Sequence, residues 1–171
     1  MCNGPSGVVL GQDPTRPDDP AAQLAYVVCF GAAQIFVVDR QPASLVAIDM
    51  TIQENGLPKG EPLWVAEVCS DPSNVRIGRD PTRPDDPTAF LAYVVCFGAG
   101  EIFVVDTRIG RVVDQILTGK GPNSLALDPF SRRAFITNFL DNTIGIIDLD
   151  PSHARFNRMV LRIGTVRNLV R

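Results

Sequence analysis

Apolar residues in this chain fall into short runs that alternate with a period of two. "LAYVVCF" at 24–30 and again at 91–97, and "RAFITNF" at 133–139, are rich in β-branched and aromatic residues. So are "EIFVVD" at 101–106 and "NTIGIID" at 142–148. Runs of this kind predict strands. Between the paired runs stand "GAAQ", "GAG" and "LDN", with the glycines or Asp-Asn that tight turns prefer. A further apolar run precedes each pair: "SGVVLG", "NVRIG" and "NSLALD". After the second and third pairs come "GRVVDQILTG" and "FNRMVLRIG", each alternating and ending in glycine.

Four short strands per unit, joined by hairpins, predict an up-and-down antiparallel sheet. Many of the runs are apolar on both faces, so each sheet must be covered on both sides. Neighbouring blades of a propeller accomplish this. No segment carries a helical period. The fold class expected is all-β.

Repetition sharpens the picture. Residues 11–39 and 78–106 differ at only five of 29 aligned positions. "AYVVCFGAGEIFVVD" at 92–106 also aligns without a gap on "AFITNFLDNTIGIID" at 134–148, an offset of 42 residues. A period of that size belongs to propellers and solenoids. The expected organisation is a partial propeller of about three to four blades in one domain spanning 1–171. The blades are placed at 5–72, 73–119 and 120–164, with 165–171 as a tail or the start of another blade. An insertion at 40–72 lengthens the first unit; "ASLVAIDM" and "PLWVAEVC" within it read as strands. A fifth strand, a remnant of another blade and a join between duplicated pieces all fit it.

The third unit joins its first two strands by "DPFSRR", whereas the other two use the longer "DPTRPDDPAAQ" and "DPTRPDDPTAF". Three prolines restrict the loop, and its aspartates can close Asx turns on their own backbone. That predicts a stiff hairpin connection. The sharper alternative has Asp18, Asp19, Asp85 and Asp86 gripping a cation or a basic partner, although the alternating ligands and glycine of a calcium loop are missing.

A net charge of −3 gives no reason to expect a nucleic-acid partner. A local exception comes after Asp150, where Arg155, Arg158, Arg162, Arg167 and Arg171 occur without an acid, a solvated face or an anion patch. No stretch approaches the length of a membrane span, and the N-terminus lacks the pattern of a secretory signal. The cysteines Cys2, Cys29, Cys69 and Cys96 form no C-x-x-C pair. Cys29 and Cys96 lie in apolar runs and read as small buried hydrophobes, with a disulfide not demanded by spacing.

The sequence nominates no catalytic, cofactor-binding or metal-ligating residue, and no cofactor. His153, the single histidine, reads as a turn residue rather than a catalytic base. Asp39, Asp106 and Asp148 end the third strand of each unit and read as turn closers. Trp64 reads as packed rather than as an anchor for a partner.

"AFITNFLDNTIGIIDLD" resembles the YVTN type of β-propeller repeat, with Phe135, Ile136, Thr137 and Asn138 at the Tyr-Val-Thr-Asn positions. "GKGPNSLALDP" is similar to the Gly-x-x-Pro opening of such blades. Tyr26-Val27-Val28-Cys29 and Tyr93-Val94-Val95-Cys96 are the matching motifs, in which cysteine replaces asparagine and removes any hydrogen bond it makes. The resemblance runs from Leu91 to Gly164, more loosely over Gly7 to Asp39, and weakly over the insertion. It implies a propeller of bacterial or archaeal surface, periplasmic or secreted proteins, most of them binding scaffolds.

The expected function is therefore a non-enzymatic module that presents rim loops to a protein or small ligand. The alternatives are a lactone-hydrolysing propeller enzyme, or a truncated fragment without independent function. A ring closes only when its last blade packs on its first. Three blades leave two apolar faces open, so the chain is expected to be a piece of a longer one or to self-associate through them.

Overall fold

The computed structural model describes residues 5–12, 23–29 and 34–164, and the side chains of 34–164. Among these residues there are thirteen strands and no helix. The first sheet runs β1 (Pro5–Gln12), β2 (Gln23–Cys29), β3 (Gln34–Arg40), β4 (Ala43–Asp49) and β5 (Glu61–Glu67), in that order. The second runs β6 (Pro72–Arg79), β7 (Phe90–Cys96), β8 (Glu101–Asp106) and β9 (Arg111–Leu117). The third runs β10 (Pro122–Asp128), β11 (Arg133–Asn138), β12 (Thr143–Asp148) and β13 (Arg158–Gly164). Every neighbouring pair is antiparallel.

The two-faced character of the strands decides how the sheets stack. Along β7, Ala92, Val94 and Cys96 enter a core shared with the first sheet. The alternate residues Leu91, Tyr93 and Val95 enter a separate core shared with the third sheet. Each residue from Leu91 to Cys96 is at most 4% exposed. A strand apolar on both faces is stable only when both are covered. The second sheet is thus sandwiched, and the chain forms a partial β-propeller of about three blades.

Equivalent strands in the three sheets are marked by a common irregularity. A bulge interrupts pairing at Ala47/Ile48, at Val104/Val105 and at Ile146/Ile147. This makes β4, β8 and β12 counterparts, each paired with a bulged outer strand. Each also ends in an aspartate whose Oδ1 accepts the N–H two residues on. Thr51 donates to Asp49 at 2.9 Å, Arg108 to Asp106 at 2.9 Å, and Asp150 to Asp148 at 3.0 Å.

Asp39 lies at the end of the third strand of its sheet and closes the turn after it, as expected, yet that strand packs as the counterpart of β7 and β11. It ends β3, opposite Ser44, as Cys96 stands opposite Glu101 and Asn138 opposite Thr143. Its Oδ1 accepts the Gln41 N–H at 3.0 Å, the same turn closure that Asp49, Asp106 and Asp148 make at the ends of β4, β8 and β12. Phe36 and Val38 of β3 face the second sheet, just as Tyr93 and Val95 of β7 face the third. The pentapeptide Ile-Phe-Val-Val-Asp, present at 35–39 and 102–106, is built into two different strands. The difference arises downstream of each copy. After 106 the chain enters an outer strand, β9. After 39 it enters β4, which has its own terminal Asp49, and only then the outer strand β5. The insertion thus contributes β4 and β5, and the first sheet has five strands rather than four.

Candidate functional site

At one end of the stack the β7–β8 hairpin, the β11–β12 hairpin and the link from β9 to β10 converge on a cleft of about 570 Å³. Phe97, Thr118, Lys120, Leu140, Asp141 and Arg162 are among its lining residues. The link is shaped by Gly121, whose φ of +60° belongs to the left-handed region and whose added Cβ would lie 2.7 Å from Leu140 Cγ. The Phe139 N–H donates to the Gly121 carbonyl at 2.8 Å, and the Leu140 N–H to that of Lys120 at 3.2 Å. The Asp141 carboxylate accepts the Lys120 N–H at 2.7 Å and lies 3.7 Å from the Arg162 guanidinium. Arg162 also donates to the Thr118 carbonyl at 3.2 Å. One acid, two cations and backbone groups thus border a recess between two sheets, an arrangement suited to holding a polar ligand by hydrogen bonds and charge.

Beneath this cleft Asn138 is buried at the end of β11. Its Oδ1 accepts the Gly119 N–H at 3.0 Å, and its Nδ2 donates to the Thr143 hydroxyl at 3.1 Å. In the second sheet the matching positions are held by Cys96 and Cys69, which form a disulfide with Cα atoms 5.9 Å apart. Cys96 is buried, as expected, but is cross-linked rather than a free thiol. Sequence spacing does not reveal the pair, because its partner lies 27 residues away, in the link between two sheets. The side chains of Cys2 and Cys29 lie outside those described.

The opposite end of the stack carries the second copy of the proline-rich loop. Asp80, 4% exposed, accepts the Thr82 N–H and hydroxyl at 2.9 and 2.6 Å. Arg83 bridges it to Asp106, at 2.6 and 2.7 Å. Burial pushes the Asp80 carboxyl up, but the Thr82 and Arg83 hydrogen bonds more than offset it and hold the group below its ordinary value. Asp86 accepts the Thr88 N–H and hydroxyl and lies 3.3 Å from Arg108. These contacts make the loop a stiff connection closed on itself. Among the described residues no cluster of three or more acids, histidines or cysteines is placed to hold a metal ion. Asp18 and Asp19 lie outside the described residues.

His153 sits in the turn after β12, where its Nδ1 lies 2.9 Å from Asp148 Oδ2. The neighbouring Ser152 hydroxyl donates instead to Asp150, at 2.7 Å, so the serine and the histidine are not joined as nucleophile and base. Asp150 is drawn down to about 2 by the Ser152 hydroxyl and N–H, with Arg132 contributing further. Trp64 is a structural tie. Its Nε1 donates to the Thr107 carbonyl of the next sheet at 3.0 Å, and its ring packs on Gly110 and, 5.8 Å between centroids, on Phe36. Asp114 makes the matching tie from second sheet to third, accepting from Asn157 Nδ2 at 3.1 Å and lying 3.3 Å from Arg158. Arg158 and Arg162 are thus paired with acids, while Arg167 and Arg171 lie outside the described residues.

No protein-family model matches the chain, and no curated protein sequence matches it. Solved structures of β-propeller type do. The chain is similar to dihydro-heme d1 dehydrogenase NirN, with 14% identity and a TM-score of 0.62 over 92% of this chain and 32% of that one. It is similar to a Bacteroides fragilis protein provisionally named a 6-phosphogluconolactonase, with 14% identity and a TM-score of 0.57 over 93% and 54%. Hydrazine synthase of Kuenenia stuttgartiensis gives 16% identity and a TM-score of 0.52 over 95% and 36%. The chain thus spans between about a third and a half of the length of these proteins. At such identities the likeness concerns the fold.

Proposed function

We propose that this chain is a YVTN-type β-propeller repeat module whose rim turns bind a partner protein or a small polar ligand. The cleft bordered by Lys120, Asp141 and Arg162 carries the reading. It is formed by turns from two adjacent sheets, so the recess exists only because the repeats stack, and its lining can vary without disturbing either core. Propeller-fold neighbours include both enzymes and other proteins, and a fold that hosts several activities leaves function to its loops. The blades of this reading are 5–72, 73–119 and 120–164. The module acts outside the cytoplasm, a placement supported by the Cys69–Cys96 disulfide, since such bonds persist in oxidising compartments.

A fragment-library screen by protein-observed NMR, following backbone amide signals, tests the reading. Hits are expected to perturb backbone signals of residues 97–100, 118–121 and 139–142 and to weaken in Lys120→Ala and Arg162→Ala. Hits confined to other surfaces contradict it. Lactone hydrolysis that disappears in His153→Ala would favour a hydrolase instead.

A further inference from the structure

The two junctions between successive sheets are built from matching pieces. Where the first sheet meets the second, these are the turn at 40–43, the link at 68–71 and the hairpin at 97–100. Where the second meets the third, they are that hairpin, the link at 118–121 and the hairpin at 139–142. The same backbone bonds hold both. The Val68 N–H donates to the Ala43 carbonyl as that of Thr118 does to Gly100. The Phe97 N–H donates to the Asp71 carbonyl as that of Phe139 does to Gly121. Asp71 and Gly121 also share a left-handed backbone, with φ of +55° and +60°.

On this common frame the side chains are exchanged. At the first junction the link carries Asp71 and the hairpin carries Gly98, whose added Cβ would lie 3.0 Å from that of Asp71. At the second the link carries Gly121 and the hairpin carries Leu140, against which a Cβ on Gly121 would clash. Arg40 spans the first junction, 3.4 Å from the Asp71 carboxylate and donating to the Pro72 carbonyl at 3.3 Å. Phe97 stands at the place of Arg40 in the second, so that ion pair has neither of its members there.

The second junction instead holds charges that the first lacks. Lys120, Asp141 and Arg162 stand where the first has Ser70, Ala99 and Gln115. Asp141 is committed inwards, accepting the Lys120 N–H and lying beside Arg162. Lys120 is exposed, and among the described residues its ammonium pairs with no acid. Two cations against one carboxylate leave positive charge in surplus over a recess that Phe97 and Leu140 also border.

We infer that the rim cleft selects a small organic anion, a carboxylate or phosphate monoester on an apolar body. The inference rests on the rim reading and adds to it the sign of the ligand's charge. The anionic oxygens take the Lys120 ammonium and the Arg162 guanidinium, and the apolar body lies against Phe97 and Leu140. Hydrogen bonds between ionised partners are the strong ones, and a cleft of about 570 Å³ is of small-molecule size.

Titration with 3-phenylpropionate, 3-phenylpropanamide and 3-phenylpropylamine tests it, read from backbone amide signals at low ionic strength. The acid is expected to shift residues 97–100, 118–121 and 139–142, and the amide and amine to bind about tenfold more weakly or less. Lys120→Gln is expected to weaken the acid by roughly tenfold, the loss of a hydrogen bond between charged groups, and to leave the amide unchanged. Asp141→Asn keeps an oxygen for the Lys120 N–H and is expected to tighten the acid. Phenyl phosphate in competition with the acid shows which oxyanion the cleft prefers. An amide or amine that binds the cleft as tightly as the acid overturns the inference and leaves the rim reading standing. An acid affinity unchanged in Lys120→Gln overturns it as well. So does silence from all of these compounds, and the fragment screen then decides the rim reading by itself.

Discussion

Asn138 accepts the Gly119 N–H at 3.0 Å in the third sheet, at the place where the second sheet carries the Cys96–Cys69 disulfide. In both, the end of a second strand is tied to the link that leads into the first strand of the same sheet. Gly119 has no room for a side chain, since an added Cβ would lie 2.7 Å from Asn138 Cγ. Asn with Gly, and Cys with Cys, are thus two chemical solutions to one joint.

The disulfide closes a loop of 27 residues, for which the loss of unfolded-state entropy corresponds to roughly 3 to 4 kcal/mol. Reduction, or Cys69→Gly with Cys96→Ala, is expected to lower stability by about that amount in urea titrations. Cys69→Gly with Cys96→Asn transplants the joint of the third sheet. It is expected to recover about 1 kcal/mol, the net worth of a hydrogen bond. It should also make stability indifferent to reductant. A transplant no more stable than the alanine version would show that the two joints are not interchangeable.

Trp64 is the single tryptophan of the chain, and it spans the junction between first and second sheets. Gly110, against which it packs, has φ +62°, and an added Cβ would lie 2.5 Å from the indole. Gly110→Ala is expected to destabilise by roughly 1 to 3 kcal/mol through backbone strain and the clash. The native Trp64 emission should shift to longer wavelength as the indole is displaced. Unchanged emission would place the ring elsewhere.

Acid should weaken the turns before it reaches the cores. Asp150 is held at about 2, against an ordinary value of 3.8. Asp148 is pushed up by burial, but the Asp150 N–H, His153 and Arg133 more than offset this and leave it lowered. A carboxylate with a depressed folded-state value stabilises fully above its unfolded value and loses that contribution as pH falls through the folded one. Thermal midpoints are therefore expected to hold down to about pH 4 and to fall between about 4 and 2. Asp150→Asn should flatten that limb. An equally steep fall in the variant would assign it to other groups.

Most of this architecture is legible because the strands are short apolar runs, several of them apolar on both faces, and each turn carries its own chemistry. Asp106 and Asp148 close the turns that their recurrence predicts. The first sheet departs from expectation because near-identity of 11–39 with 78–106 outweighs a fainter signal. Residues 34–49 align without a gap on 133–148, an offset of 99, with Asp49 falling on Asp148. That pattern of apolar positions, rather than identity, decides which way β3 faces. The rim cleft is illegible in sequence because Lys120, Asp141 and Arg162 belong to three separate connections or strands. Only the stacking of sheets brings them together.

The double use of Ile-Phe-Val-Val-Asp gives a test that compares identical residues. In β3, Phe36 is 1% exposed between two sheets, while Ile35 is half-buried on the outer side. In β8 the order reverses: Ile102 is fully buried and Phe103 half-buried. Fully burying a large apolar side chain makes its truncation cost the transfer energy and a cavity, roughly 3 to 5 kcal/mol for Phe→Ala and 2 to 5 for Ile→Ala. Phe36→Ala is therefore expected to destabilise more than Phe103→Ala, and Ile102→Ala more than Ile35→Ala, in chemical denaturation monitored by far-UV circular dichroism. If β3 instead repeated the role of β8, as its sequence alone suggests, Phe36→Ala would be the milder phenylalanine variant and Ile35→Ala the harsher isoleucine one. Local sequence is held constant across the four variants, so the ranking isolates the neighbours that each copy meets.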